Sequence, residues 1–486
     1  MTQRQRVLFI TNSELGQSTV ALAVAHEFLL RVEYDVHIAS FPELENAVTE
    51  LNEQTAILSP KPCCNATFHT IAGKSMKQAA GRKAEFIEMH PPGVRGAVFA
   101  YQKVLPATFA SWNGAEYMIG YSSSVKIIND VRPNIVVIDP LFSQAIDACK
   151  EMGQQYVVLS PNTFKDHLIK YQPAAGALWK YPQLGSGFDY PFVSWYTVFA
   201  NIYLTLRIMF ARLSNPLLKE VLEYRRSCGL AGRIPSIFEG FGDANIVLPS
   251  TPDIELPYVV PERITGCGPI LPPVVPIAKS HPELEAWLQR APTVLVNLGS
   301  HIIFDEPFAL KFATALRVLL DRRPDIQILW KLKTQGETWD SLFSKEGAFQ
   351  IIAKEIADGR VRIEKWLAAQ PIAILRIPTV VCMVHHGGSN SYHEAISAGV
   401  PQIVLPVWID TYDFSTRVEY LGIGVWGSRT AAPKVDADEL SKAFIRVLAS
   451  DETTGMQEKA KAISLPFSKT EGRTVACEKI VELMKC

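Results

Sequence analysis

Short, unbroken apolar runs alternate along this chain with segments in which apolar residues recur every three or four positions. In the first half the runs are "RVLFIT", "DVHIAS", "NIVVID" and "QYVVLS", and "VALAVAHEFLLRV" and "QAIDACKEMG" stand between them. Runs of this length suit strands covered on both faces, and the intervening segments carry the helical period. The pattern therefore predicts a parallel sheet with helices on both sides. It then restarts: "PTVLVNLGS" predicts a strand ending in a Gly-Ser turn, "PFALKFATALRVLLDRR" an amphipathic helix, and "IQILWKL", "VRIEKWL", "VVCMVHHGG" and "PQIVLPVW" further strands. Two similar α/β units are expected, with no repeat of solenoid length.

Between them, "ELPYVVPERITGCGPILPPVVPIAKSHP" is dense in proline and glycine. That composition suits a linker and disfavours a central strand. The boundary is placed near Gly268, giving units 1–268 and 269–460. A closing segment, 461–486, ends in "EGRTVACEKIVELMKC", a terminal helix expected to pack back on the first unit. Between Asp189 and Arg207 the longest uncharged stretch, "YPFVSWYTVFANIYLTL", is interrupted by Pro191 and Asn201. It is shorter than the ~20 residues that span a bilayer. It predicts an amphipathic helical flap over a pocket, with a peripheral membrane contact through 190–206 as the lesser alternative.

Composition changes this picture little. Of 486 residues, 48% are hydrophobic and the formal net charge is -1, so each unit can bury a core and no basic footprint suggests a nucleic-acid partner. "MTQRQ" leads straight into the first strand without the pattern of a signal peptide, and a cytoplasmic protein is expected. The 8 cysteines are scattered, Cys63 and Cys64 being adjacent, and no C-x-x-C occurs. They read as reduced packing residues, with neither a zinc site nor a disulfide framework.

The chemistry concentrates in "HHGGSNSYHEAISAGVPQIVLP", from His385 to Pro406. A buried strand would lead into a tight glycine turn, where backbone N–H groups can approach a ligand closely. A helix starting near Ser389 would aim its positive N-terminus at that ligand, an arrangement suited to phosphate. Asn390 and Glu394 fall on one helix face, about 6 Å apart along the axis. Asn390 and Ser391 could then meet a diphosphate while Glu394 accepts from ribose hydroxyls, and Gly399 ends the helix. A well-capped strand–turn–helix without a ligand fits the same spacing.

From Trp366 to about Asp413 the chain resembles the donor-binding signature of the UDP-glycosyltransferases, the large plant, animal and fungal family with the GT-B fold. That signature opens on a tryptophan, runs through His-x-Gly-x-Asn-Ser, a glutamate and Gly-Val-Pro, and closes on an acidic residue and a glutamine after a proline. The matching residues are Trp366, His386, Gly388, Asn390, Ser391, Glu394, Gly399, Val400, Pro401, Pro406 and Asp410. Weaker likeness covers the "NLGS" turn at Ser300, the "GPI" of the linker and the aspartate closing "NIVVID"; "SPNTFKDH" and "LWKYP" resemble fungal members.

The resemblance implies two Rossmann-like α/β domains facing a cleft, with an acceptor-binding N-terminal domain and a UDP-sugar-binding C-terminal one. Trp366 would stack on uracil and His386 would contact the diphosphate. Ser300, Asn390 and Ser391 would hold phosphate oxygens, Glu394 the ribose and Asp410 the sugar hydroxyls. Gln370 stands near the family's usual glutamine, although the stretch from Trp366 to His386 is about two residues longer than usual. Thr411 replaces the closing glutamine. The partners implied are a UDP-sugar, as co-substrate rather than cofactor, and a small lipophilic acceptor such as a secondary metabolite. Glucose is the expected sugar.

In this family a histidine after the first strand takes the acceptor proton, oriented by an aspartate further on. Here that loop is "TNSELGQST" and Gln17 occupies the histidine's place, while the aspartate is Asp139. Three readings stay open: Asp139 serves as the base, the acceptor is acidic enough to need little help, or the protein is a catalytically silent sugar-nucleotide or metabolite-binding protein. Asp139 before Pro140 also fits a plain turn cap. "GIGVWG" at Gly422–Gly427 matches G-x-G-x-x-G but follows a helix and opens none, so it reads as a helix stop and a short strand. His385, His386 and His393 lack a second ligand pair at zinc spacing, so no metal is expected. His26 reads as a satisfied or surface histidine, and His69, His90 and His167 as loop residues carrying little information.

Overall fold

The computed structural model describes residues 4–59, 63–81, 88–300, 302–335 and 338–485. The first half forms a seven-stranded sheet from β1 (Gln5–Ile10), β2 (Tyr34–Ser40), β3 (Thr67–Thr70), β4 (Ile135–Ile138), β5 (Tyr156–Leu159), β6 (Ile246–Leu248) and β7 (Ile264–Gly266). Its order is β3-β2-β1-β4-β5-β6-β7. The second half forms a six-stranded sheet from β8 (Thr293–Asn297), β9 (Gln327–Lys331), β10 (Val361–Glu364), β11 (Val380–His385), β12 (Gln402–Val404) and β13 (Gly424–Trp426), in the order β10-β9-β8-β11-β12-β13. Every strand pair is parallel. The two expected Rossmann-like α/β units are therefore present.

In each sheet the chain winds outward in one direction and then returns to the middle to wind the other way. The reversal falls between β1 and β4 in the first sheet and between β8 and β11 in the second. Ligands of open parallel sheets bind beyond the carboxyl ends of the strands at such a switch point. Beyond β1 and β4 lie the "TNSELGQST" loop and Asp139; beyond β8 and β11 lie Ser300 and His386.

The strands missing from the sequence pattern are β3, β6 and β7. Each has only three or four residues and lies at or next to an edge of the first sheet. β7 lies in the proline-rich linker and is an edge strand, where lost ladder donors are tolerated. Glu452–Lys469 is a single helix, so the expected boundary at 460 lies inside it. Gly268 has φ +76°, and a Cβ there would stand 2.5 Å from the Phe467 ring, so the linker and this helix run in contact. The terminal helix, Gly472–Leu483, packs on the Leu15–Leu29 helix. Cys477 and Ile480 enter the core that holds Phe9 and Val24, and Arg473 pairs with Glu27 at 2.8 Å.

His26 is a satisfied core histidine, its Nδ1 lying 2.9 Å from Thr55 Oγ1. Gly422 is the left-handed cap that stops the Thr411–Leu421 helix before β13. Seven cysteines are free thiols among the described residues, and no described helix is long and apolar enough to cross a membrane.

The uncharged stretch forms the helix Trp195–Leu213, but it does not close over a pocket with its aromatic face. It buries only Ala200, Asn201, Leu204 and Thr205, partly against the Gly93–Lys103 helix. Trp195, Tyr196, Phe199, Leu206, Phe210 and Leu213 point to solvent, all more than half exposed. The expected flap is thus an outward-facing apolar helix, because its small and polar residues are the ones that fit the neighbouring helix.

Candidate active site

On the second sheet, β11 ends at His385 and the Ser389–Ala398 helix begins after two glycines. His385 is wholly buried: its Nε2 meets Gln402 Oε1 at 2.8 Å and its Nδ1 accepts Gly387 N–H at 3.0 Å. His393 meets Ser389 O at 2.8 Å, and burial pushes both histidines far below the usual imidazole range. Among the described residues no cluster of three His, Cys, Asp or Glu side chains could hold a metal. Gly388 is the helix N-cap, and Gly399 ends the helix at φ 69°. A Cβ on either Gly388 or Gly299 would stand 2.7 Å from His386 Cε1, so the loops after β8 and β11 both close on that imidazole. Asn390, Ser391 and Glu394 stand on this helix behind the turn, Ser391 being buried.

Trp366 follows β10 and is 63% exposed. Lys331, the last residue of β9, holds its Nζ 3.6 Å from the Trp366 ring centroid, and its charge also acts on Glu394. Lys333 donates to Ser300 O at 2.6 Å. These cations were not singled out from the sequence, since a lysine at a strand end looks like any surface lysine. Gln370 is exposed at the N-terminus of the Pro371–Leu375 helix. Thr411 departs from its expected role. Its hydroxyl accepts Val407 N–H and Trp408 N–H, both at 3.0 Å, and donates to Trp408 O. The donor and both lone pairs are used, so Thr411 shapes the loop and has no capacity left for a sugar.

Glu394 and Asp410 each keep some accessible surface, yet their carboxyls sit amid packed protein. Burial raises Glu394 to about 8 against the opposing charge of Lys331. Burial, then the Asp166 charge, raises Asp410 to about 7. A protonated carboxyl both donates and accepts, which suits it to polyhydroxylated ligands.

On the first sheet, Asp139 is 4% exposed. Its Oδ2 accepts Asn12 N at 3.1 Å, Asn12 Nδ2 at 3.0 Å and Thr11 Oγ1 at 3.4 Å; its Oδ1 accepts Leu141 N at 2.8 Å. The turn-cap reading thus holds through Leu141, and the carboxylate faces the β1 loop rather than open space. Gln17 lies in the first turn of the Leu15–Leu29 helix, with its amide oxygen buried. Next to Asp139, through Pro140 and Leu141, lies a small cavity of about 30 Å³ whose lining includes Met76, Phe109, Trp112, Leu141, Ile234 and Phe238.

Contacts between the two sheets' loops frame the site, and the sequence reading missed them. His90 is wholly buried: its Nδ1–H donates to Pro91 O at 2.9 Å, and its Nε2 accepts Ile409 N–H at 2.8 Å. Lys165 pairs with Asp413 at 2.5 Å, and Arg417 with Glu255 at 2.9 Å. Ser389 Oγ donates to Pro161 O at 3.0 Å, tying the donor helix to the loop after β5. His167, read as a loop residue, is buried against Ser160 Oγ at 2.7 Å.

Comparison with known proteins agrees with this geometry. Residues 352–467 match the family described as "Erythromycin biosynthesis protein CIII-like, C-terminal domain". The glycosyltransferase sdnJ of Sordaria araneosa is 38% identical over 472 residues, covering 92% of this chain and 90% of that protein. The UDP-glycosyltransferase stmC of Aspergillus ustus is 23% identical over 270 residues, 54% of this chain and 49% of its own length. Among solved structures, a UDP-glucosyltransferase from Polygonum tinctorium, capable of glucosylating indoxyl, superposes with a TM-score of 0.64 at 15% identity, each chain covered in full. With its two facing switch points and a relative alike over nine-tenths of its length, the chain belongs to the UDP-glycosyltransferase family with the GT-B fold.

Proposed function

We propose that the protein transfers glucose from UDP-glucose to a small lipophilic acceptor, a secondary metabolite, with inversion at the anomeric carbon. The observation that carries the reading is the Ser389–Ala398 helix, which begins at a glycine turn on the switch point with Asn390, Ser391 and Glu394 on it. Its N-terminal amides and His386 suit the diphosphate, Trp366 the uracil, Glu394 the ribose and Asp410 the sugar hydroxyls. The apolar side chains around the small cavity next to Asp139 favour a lipophilic acceptor, which requires that cavity of about 30 Å³ to widen on binding. Glucose is favoured by the likeness to the Polygonum protein. Incubation with a panel of UDP-sugars and candidate acceptors tests this: acceptor-dependent UDP release is expected, fastest with UDP-glucose. UDP binding without release from any donor would leave a silent binding protein instead.

The Trp195–Leu213 helix supports a peripheral bilayer contact as part of this reading, since lipophilic acceptors partition into membranes. Residues 190–213 carry no carboxylate, Arg207 and Arg212 are their only charges, and Trp195 and Tyr196 suit the headgroup level. Co-sedimentation with phosphatidylcholine–phosphatidylserine vesicles is expected, and the paired substitution Trp195→Asp and Phe199→Asp should abolish it. A wild-type protein that stays in the supernatant at low salt would end this part of the proposal.

A further inference from the structure

We propose that Glu14 is the general base that receives the acceptor proton, with Asp139 as a positioning residue that holds the loop carrying it. This rests on the sugar-transfer reading and supplies the group that the family's histidine would provide. Gln17 cannot serve, because an amide is essentially non-basic. Asp139 is poorly placed to serve, because four donors already converge on its two oxygens. Those donors include both nitrogens of Asn12, two residues before Glu14, so Asp139 fixes the path of the loop.

Glu14 has the capacity that Asp139 lacks. It is the residue before the Leu15–Leu29 helix, and its Oε1 accepts Lys77 N–H at 2.8 Å. Its Oε2 is enclosed and has no hydrogen-bond partner. An enclosed carboxylate oxygen without a donor is costly, and an incoming hydroxyl is a donor that relieves the cost. The place is also right. Lys77 directly follows Met76, which lines the small cavity, and Leu141, which donates to Asp139, lines the same cavity. The backbone partners of the two carboxyls thus adjoin one small apolar cavity, and the carboxyls lie near enough to interact. Burial raises Glu14 above the usual carboxylate range against the Lys77 N–H and its own backbone N–H, with the charges of Asp139 and Glu43 adding to the rise. That direction brings a carboxylate closer to the pKa useful for a base at neutral pH.

In the step itself, the acceptor oxygen forms a bond to the anomeric carbon and the bond from that carbon to the UDP oxygen breaks. UDP leaves with the electron pair. The acceptor's proton moves to Glu14 Oε2 and is lost to water after product release.

Glu14→Gln, which keeps the Lys77 contact, is expected to lower turnover by about two to four orders of magnitude. Calorimetric UDP affinity should be unchanged, which also reports that the variant folds. The acid limb of the rate–pH profile, set by Glu14 in the wild type, should vanish. Turnover of Glu14→Ala should recover partly in added formate. A Glu14→Gln variant that keeps near-wild-type turnover and the acid limb would overturn the proposal, and more so if Asp139→Asn proved inactive. A wild type that releases no UDP to any acceptor or to water would instead overturn the sugar-transfer reading, and this proposal with it.

Discussion

Arg417→Met is expected to cost about 3–5 kcal/mol of stability, read as a lower denaturant midpoint, because it strands a buried charge. The Arg417 side chain is 1% exposed and that of Glu255 is wholly buried, with 2.9 Å between them. Glu255 also accepts Ser250 Oγ at 2.6 Å and Phe164 N–H at 3.3 Å, so it is anchored in the first sheet's loops. Arg417 belongs to the Thr411–Leu421 helix of the second half and lies over Phe414. The pair thus joins the two halves of the chain. Glu255 is raised by burial against the charge of Arg417, so without arginine it should fold protonated. The loss should therefore be greater at pH 8 than at pH 5. Adding Glu255→Gln removes the stranded charge and should recover most of the stability. A single-variant loss below about 1 kcal/mol would put the pair with solvent-screened surface bridges.

Glu394→Ala is expected to weaken UDP binding about tenfold or more by calorimetry. Leaving a buried hydrogen-bonding group without its partner costs roughly 1–3 kcal/mol, and about 1.4 kcal/mol is a factor of ten. Unchanged affinity would remove the ribose contact. Glu394 also imposes a pH dependence on the free protein. Its pKa is raised by burial from 4.5 to about 8. A carboxyl raised on folding contributes stability that is fully present below the unfolded pKa and is lost as pH rises through the folded one. Melting temperature should accordingly fall between pH 5 and pH 8, and Glu394→Gln should flatten that slope. Equal slopes in both proteins would show that the carboxyl stays ionised throughout.

Local physics made much of this molecule legible in its sequence. Buried parallel strands need unbroken apolar runs, and helix ends need caps, so the sheet strands from β1 to β13, apart from β3, β6 and β7, and the Gly388-to-Gly399 bounds of the donor helix could be read from neighbouring residues. The proposed donor residues beyond His386 shared that advantage, because they lie on one short helix and the loop after β12.

Tertiary structure decided what depends on distant partners. Thr411 turned inward because two backbone N–H groups of its own loop needed an acceptor. His90 became a clamp only because Ile409, 319 residues away, presents an unpaired N–H to it. The aromatic residues of Trp195–Leu213 face outward because its small residues fit the neighbouring helix. Glu14 looked like any charged residue before a helix. Its significance arises from one oxygen held by Lys77 and the other enclosed beside Asp139, and enclosure is a property of the packed chain, which no run of neighbouring residues encodes.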